Sequence, residues 1–156
     1  MTPNHRNIVA AVKDFLNTKT FTPALTFTTK EFSERELEES DELIGQCKMG
    51  NRVHVPAGRG QWLVKCGVDI EIWQPIRGES EAIRDGLHET LIDLGEQVEQ
   101  AIFDADINDT TFAHASLVNE SPIEVNPFVI AAFKEFSSFQ FILPLQFQYV
   151  RMAELT

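Results

Sequence analysis

The most regular pattern in the sequence is an alternation of apolar and polar residues over residues 62–72. Its apolar positions are Trp62, Val64, Cys66, Val68, Ile70 and Ile72. Because successive side chains of a strand point to opposite faces, this alternation predicts a long, half-buried β-strand with these six side chains in the core.

After Pro75 and Gly78 the apolar spacing changes to that of one helix face. The positions on this face are Ile83, Leu87, Leu91, Leu94, Val98 and Ile102. We therefore predict a helix over residues 79–103. The predicted strand and helix are each about 35 Å long, so that each covers the other in one core.

Weaker patterns predict the remaining elements. Asn4 is a suitable N-cap for a first helix that ends near Asn17. Residues 128–136 fit either a helix or an extended segment. Shorter strands are predicted at residues 25–29, 49–55 and 111–118, and a last strand over 139–149.

Pro144 lies inside the last predicted strand, which indicates a sheet edge or a bulge there. Taken together, the elements predict an α+β fold in which two helices pack on one face of a mainly antiparallel β-sheet. A length of 156 residues suits one domain over 1–156 with a single core.

The charge limits the possible partners. A net charge of −11 argues against binding DNA or an anionic membrane through a general basic surface. Much of the acid lies in two runs, which we interpret as a solvated loop over 31–42 and the solvated face of the helix over 79–99. No segment is apolar enough for a signal peptide or a membrane span, so we expect a soluble protein made in a cytoplasm.

The sequence carries no local motif for catalysis. It has no glycine-rich phosphate loop, no nucleophile elbow and no cysteine or histidine run at metal spacing. The inward register of Cys66 predicts a buried free thiol, and Cys47 forms no metal-ligand spacing with it. The histidines are scattered over different elements: His5, His54, His88 and His114. We expect no cofactor, no metal and no enzymatic activity, although a triad need not be local in sequence.

The order of the elements has a counterpart in a known family. An N-terminal helix, a strand and an irregular polar segment precede the stretch VHVPAGRGQWLVKCGVDIEIWQP, which leads to a long acidic helix and a final strand, LPLQFQYV. This order resembles the tail terminator (tail completion) proteins of long-tailed bacteriophages. The residues that match the family's pattern best are Val53, Val55, Pro56, Arg59, Val68, Ile70, Ile72 and Tyr149.

The resemblance implies a structural virion protein. Tail terminators form a hexameric ring that caps the tail tube, stops its polymerisation and offers a joining surface to the neck. The expected partners are therefore five further copies of the chain, the tail tube protein and a neck or head-completion protein, and the expected location is the virion after assembly in the host cytoplasm. DNA would pass through the lumen without specific binding, which an acidic wall favours because it repels phosphate.

Four residues are candidates for the contacts between subunits. Arg52, Arg59 and Arg77 carry guanidinium groups that pair well with carboxylates of a neighbouring copy. Trp73 lies in the register opposite to the buried face, and an outward indole is a common interface anchor.

Three alternatives stay open. A neck or head-completion connector has a similar size, and a tail-tube subunit is a further structural option, although tube proteins are richer in β-structure. A small ligand-binding or enzymatic α+β domain belongs to a different class and would need a concave polar site. The oligomeric state separates these classes, because a ring-forming protein assembles into hexamers whereas a small enzyme is more often a monomer or dimer.

Overall fold

The computed structural model describes residues 3–33, 36, 42–76, 80–105, 111–118, 123–132 and 137–152. These contain two helices, α1 (His5–Asn17) and α2 (Glu81–Phe103), and six strands. The strands are β1 (Phe27–Thr28), β2 (Ile44–Pro56), β3 (Gln61–Ile76), β4 (Ser116–Leu117), β5 (Asn126–Ala132) and β6 (Ser137–Met152). The α+β class is confirmed.

The six strands form one sheet in which β3 is central. The order is β1-β2-β3-β6-β4, and β5 pairs with β6 beside β4. All pairs are antiparallel except β1 with β2. The ladder between β3 and β6 is unbroken from Gln61 opposite Met152 to Ile76 opposite Ser137. This long ladder is the backbone of the sheet.

The two helices pack on the same face of this sheet. Alternate residues of β3 and β6 lie directly opposite each other on that face, as Val68 does to Leu145 and Ile72 to Phe141. These side chains join the apolar stripe of α1 and the C-terminal two-thirds of α2 in a single cluster. The core therefore lies between one sheet face and two helices, as the sequence predicts.

Helix α1 is held at both ends by asparagines. The side chain of Asn4 caps its start by accepting from the backbone N–H of Asn7 at 2.8 Å. At its end Asn17 donates to the carbonyl of Phe27 and accepts from the N–H of the same residue, which attaches β1 to the helix. Buried His5 contacts the Gly67 carbonyl through Nε2 at 2.6 Å, so Nε2 carries the proton there.

Helix α2 approaches β6 closely at a glycine. A Cβ added at Gly95 would lie 2.6 Å from ring atoms of Phe141, a side chain that is itself buried. Gly86 lies nine residues earlier on the same helix, and a Cβ there would meet nothing within 4 Å. The two glycines therefore have different consequences for packing.

The predicted core is too long at both ends. Trp62 is 41% exposed and Ile83 is 55% exposed, whereas the four positions from Leu91 to Ile102 are buried. Trp62 lies beyond the helices because the 16 residues of β3 span about 53 Å, whereas the 23 residues of α2 span about 35 Å. Ile83 lies in the first turn of α2, where every residue from 81 to 86 is exposed. The prediction of equal lengths was wrong, and the sheet extends beyond its helical cover at Trp62.

Several predicted boundaries also differ. Strand β3 continues through Pro75, β2 begins at Ile44 rather than 49, and the predicted strand at 111–118 is a turn followed by the two residues of β4. Residues 126–132 are extended, which decides the ambiguity at 128–136 for its described part. Most of the predicted acidic loop at 31–42 lies outside the described residues.

Strand β6 is not an edge strand, although it contains Pro144. It pairs with β3 on one side, and with β5 and β4 on the other. Pro144 is opposite Asp69 in the β3 ladder, and it lies between the residues that pair with β5 and those that pair with β4. A residue without an N–H is tolerated at this position because the second ladder is interrupted there.

Two alanine substitutions in α2 are expected to have opposite effects. Gly86→Ala should stabilise the fold by about 0.5–1 kcal/mol, since alanine is the better helix residue and the site is open. Gly95→Ala should destabilise it by about 1–3 kcal/mol, because the methyl group overlaps the ring of Phe141. Chemical denaturation measures both, and equal stabilisation by the two variants would contradict the described contact.

Candidate interaction surface

The part of the sheet beyond the helices forms a projecting arm. We define the arm as residues 51–63 of the β2–β3 hairpin together with residues 149–152 of β6. Its turn is closed by hydrogen bonds from Ala57 N–H to the Gln61 carbonyl at 3.1 Å and from Gln61 N–H to the Gly58 carbonyl at 3.2 Å. Gly58 and Gly60 adopt positive φ there, a conformation that favours glycine. Residues 51–60 are all exposed.

One face of the arm is apolar. Val55, Leu63 and Val150 lie directly opposite one another on three adjacent strands, which places them in one row on the face away from the helices. Val53 lies on the same face two residues before Val55, and Met152 ends β6 beside this row. Val150 is 55% and Met152 61% exposed. Contiguous exposed apolar side chains of this kind mark interaction surfaces.

The arm is also the basic part of an acidic chain. Residues 43–68 and 143–152 contain no aspartate or glutamate, whereas the whole chain carries a net charge of −11. The cations of this region are Lys48, Arg52, Arg59, Lys65 and Arg151. Of these, only Lys48 takes part in an ion pair among the described residues. The arm therefore combines an apolar face with positive charges at its tip and on its other face, where Arg52 is opposite Cys66 and Arg151 is opposite Trp62.

The start of α2 forms a second exposed surface. Every residue from 81 to 86 is exposed, including Ile83. The carboxylates of Glu81, Asp85 and Glu89 project from other sides of the same part of the helix. The helix begins five residues after Ile76, the last residue of β3, while the arm includes the first residues of β3. The two surfaces consequently lie at opposite ends of the sheet, about 50 Å apart along β3.

The structure separates the four predicted interface residues. Arg52 and Arg59 both lie on the arm, Arg59 in its turn. Trp73 lies near the other end of β3, on the face opposite the core as predicted, but it is only partly exposed and its Nε1 atom is buried. Arg77 lies outside the described residues. The more exposed tryptophan is Trp62, which the sequence pattern placed in the core.

Beside Trp73 the same sheet face carries a partly buried charge cluster. Glu71 is buried, and its carboxylate lies 3.8 Å from the ammonium group of Lys48. Burial raises the pKa of Glu71, an effect that Lys48 and the indole of Trp73 partly offset and Asp69 increases. Burial also raises the pKa of Asp69, against the attraction of Lys48. Both carboxyl groups are therefore harder to ionise than they would be in water.

The described residues offer little for catalysis. Both cysteines are free and buried, and burial raises the pKa of the Cys47 thiol to about 12, so the reactive thiolate is suppressed. Among the described residues no three histidine, cysteine, aspartate or glutamate side chains group as metal ligands. An open groove of about 360 Å³ lies between Lys19, Gln97 and Asp104. Neither described helix is long and apolar enough to cross a membrane.

Sequence reasoning identified two arginines of the arm but missed the arm itself. The alternation from Trp62 to Ile72 has the same form whether or not a helix covers the strand, so it cannot show where the cover ends. The acid-free segment 43–68 was the available signal. In a chain so rich in acid, it distinguishes this hairpin from the rest of the surface.

The charge cluster predicts a pH dependence of stability. A carboxyl group whose pKa is higher in the folded than in the unfolded protein binds its proton more tightly when folded, so the free energy of unfolding falls as pH rises above the ordinary value of 4.5. Glu71→Gln should therefore stabilise the protein at neutral pH and have a smaller effect below pH 4.5. Denaturant unfolding across this pH range measures the difference.

Glu89→Gln is the control, since it makes the same change of charge at an exposed position of α2. Asp69 keeps its raised pKa in the Glu71→Gln variant, so some pH dependence should persist. Equal effects of the two glutamine variants at every pH would show that net charge, not burial of Glu71, is responsible.

Comparisons with protein-family models and with curated proteins found no match to this chain.

Proposed function

We propose that this chain is a structural assembly protein, without enzymatic activity, that caps the tail tube of a long-tailed bacteriophage as a hexameric ring. In this role it stops tube polymerisation and provides the surface to which the head and neck join. The observation that carries the proposal is the arm, whose apolar face lies beyond the core of its own chain.

The arm supports a role in assembly because exposed apolar surface is unfavourable in water. Val150 and Met152 are more than half exposed, and Val53 and Val55 lie beside them on the same face. Removing apolar surface from water is favourable by about 25 cal/mol per Å². Association with another protein would gain this free energy at the apolar face of the arm. Enzyme sites are typically concave, whereas the arm projects from the molecule. A projecting apolar sheet face suits a subunit of an assembly.

The element order supports the choice of assembly. Helix α1, the β2–β3 hairpin, the long acidic helix α2 and the final strand β6 follow one another as in the pattern that resembles the tail terminators. The net charge of −11 suits a ring that surrounds DNA, because a negative lumen repels phosphate and lets the DNA slide. The hexamer, the tube protein and the neck protein are the partners that this role requires.

Capping of tubes tests the proposal directly. The tail tube protein encoded with this chain should polymerise into tubes of variable and excessive length on its own, because its growing end stays open. Addition of the purified chain should stop elongation and leave a ring at one end of each tube. Electron microscopy measures tube length and end structure, and native mass spectrometry gives the number of copies in the ring.

Two results would contradict the proposal. Tubes that elongate equally with and without the chain exclude termination, and a ring that then binds filled heads would favour a neck connector. A chain that stays monomeric or dimeric with tubes present would favour the small-domain alternative. A control with heat-unfolded protein shows that any effect on tube length requires the folded chain.

A further inference from the structure

We infer that the arm of one copy binds the exposed start of α2 on a second copy, head to tail. The inference rests on the proposed function only in that both require the chain to assemble with itself. It names the two surfaces that meet, and the partner of the arm is a second copy of this chain.

The two surfaces match in polarity. The arm offers Val53, Val55 and Val150 on one face, and the start of α2 offers Ile83. The arm is also basic, and the start of α2 is acidic apart from one cation, Arg84. Opposite charges on two surfaces favour their association and help to fix its orientation.

Among the described residues, the charges on the two surfaces form no ion pair within the chain. Arg52, Arg59 and Arg151 are exposed and are in none of the ion pairs between described residues, and the same holds for Glu81, Asp85 and Glu89. Residues 81–93 contain four acids and one cation, Arg84, so this part of the helix keeps a negative sign. Complementary potentials would bring the two ends of different copies together.

The geometry requires two copies. The arm and the start of α2 lie at opposite ends of β3, about 50 Å apart, and the ladder between β3 and β6 that separates them is continuous. One molecule therefore cannot join its own two surfaces. A contact between unlike surfaces is heterologous, and repeated copies of it close into a ring when the rotation between neighbours allows closure.

Charge reversal on each surface tests the contact. Arg59→Glu with Arg151→Glu reverses the arm, and Glu81→Lys with Asp85→Lys reverses the helix start. Each reversed chain should assemble at least about tenfold more weakly than the wild type. An equal mixture of the two should regain assembly as alternating copies, because the acidic arm of one variant meets the basic helix start of the other, and the basic arm of the second meets the acidic helix start of the first. A single chain that carries all four substitutions should regain assembly, since arm and helix are again opposite in sign.

Sedimentation velocity at low and high salt measures assembly. The wild type should lose affinity as salt rises, because exposed charges are screened. The matched controls are Arg6→Glu with Lys19→Glu, and Glu96→Lys with Asp104→Lys, which make the same charge changes at other exposed positions. Far-ultraviolet circular dichroism and thermal unfolding check that every variant is folded. Controls that weaken assembly as much as the test variants would overturn the inference.

Further outcomes are decisive. Reversed arms that assemble like the wild type would overturn the contact, while capping of tubes by those variants would leave the proposed function intact. A wild type that forms arm-dependent rings but does not stop tube growth would support the contact and contradict the tail role. Tight binding of a short DNA duplex that the arm reversal abolishes, with assembly unchanged, would assign the arm to nucleic acid and overturn the inference.

Discussion

The mismatch between strand length and helix length determines most of this structure. Strand β3 has 16 residues and β6 pairs with all of them, but the end of this ladder at Gln61 and Met152 lies beyond α1 and α2. A strand rises about 3.3 Å per residue and a helix 1.5 Å, so a helix needs more than twice as many residues to cover the same length. The 23 residues of α2 are too few for full cover. Exposed apolar residues at the end of the sheet are the consequence.

The same mismatch explains why the two faces of the sheet differ from one end to the other. Where helices cover it, the core face is fully buried, as Val68 and Leu143 are. Beyond the helices the identical alternation continues, and both faces of the arm meet solvent. The charge also differs along the chain, since the arm carries cations but no carboxylates, and much of the acid lies in residues 31–42 and on α2. The length mismatch thus accounts for the apolar surface of the arm.

The sequence predicted the elements that depend on local pattern. Helix α1 with its cap at Asn4, the buried register of β3 and the inward face of the later turns of α2 follow from spacing alone, because period 2 and period 3.6 are distinct. The sequence-based prediction failed where the burial of a residue depends on tertiary packing. Trp62 has the apolar register of a core residue but lies past the end of the helix layer, and Trp73 has the outward register but is partly buried beside Glu71. The register of a residue follows from the local sequence pattern, whereas its burial depends on which other elements pack over it.

Pro144 shows that sequence-based prediction is limited in the same way for backbone hydrogen bonds. A proline within a strand predicts an edge because the missing N–H would break a ladder. In β6 the ladder with β3 remains continuous, and the interruption falls between β4 and β5, which share the other side. The sequence shows that one hydrogen bond is absent. Only the topology shows that two short strands, rather than solvent, flank the position.

The arm's positive charge has a further consequence for the proposed ring, through which DNA would pass. Exposed arginines in a lumen would hold phosphates and slow the passage of DNA, because each neutralised phosphate releases counterions and adds affinity. If the arm lies against the acidic start of α2 of the next copy, its charges are paired and the remaining surface is negative. The excess of carboxylates in the chain, 24 against 13 lysines and arginines, leaves enough acid to pair the arm and still give a repelling wall. Charge separation within each copy then serves assembly, and the net charge serves passage.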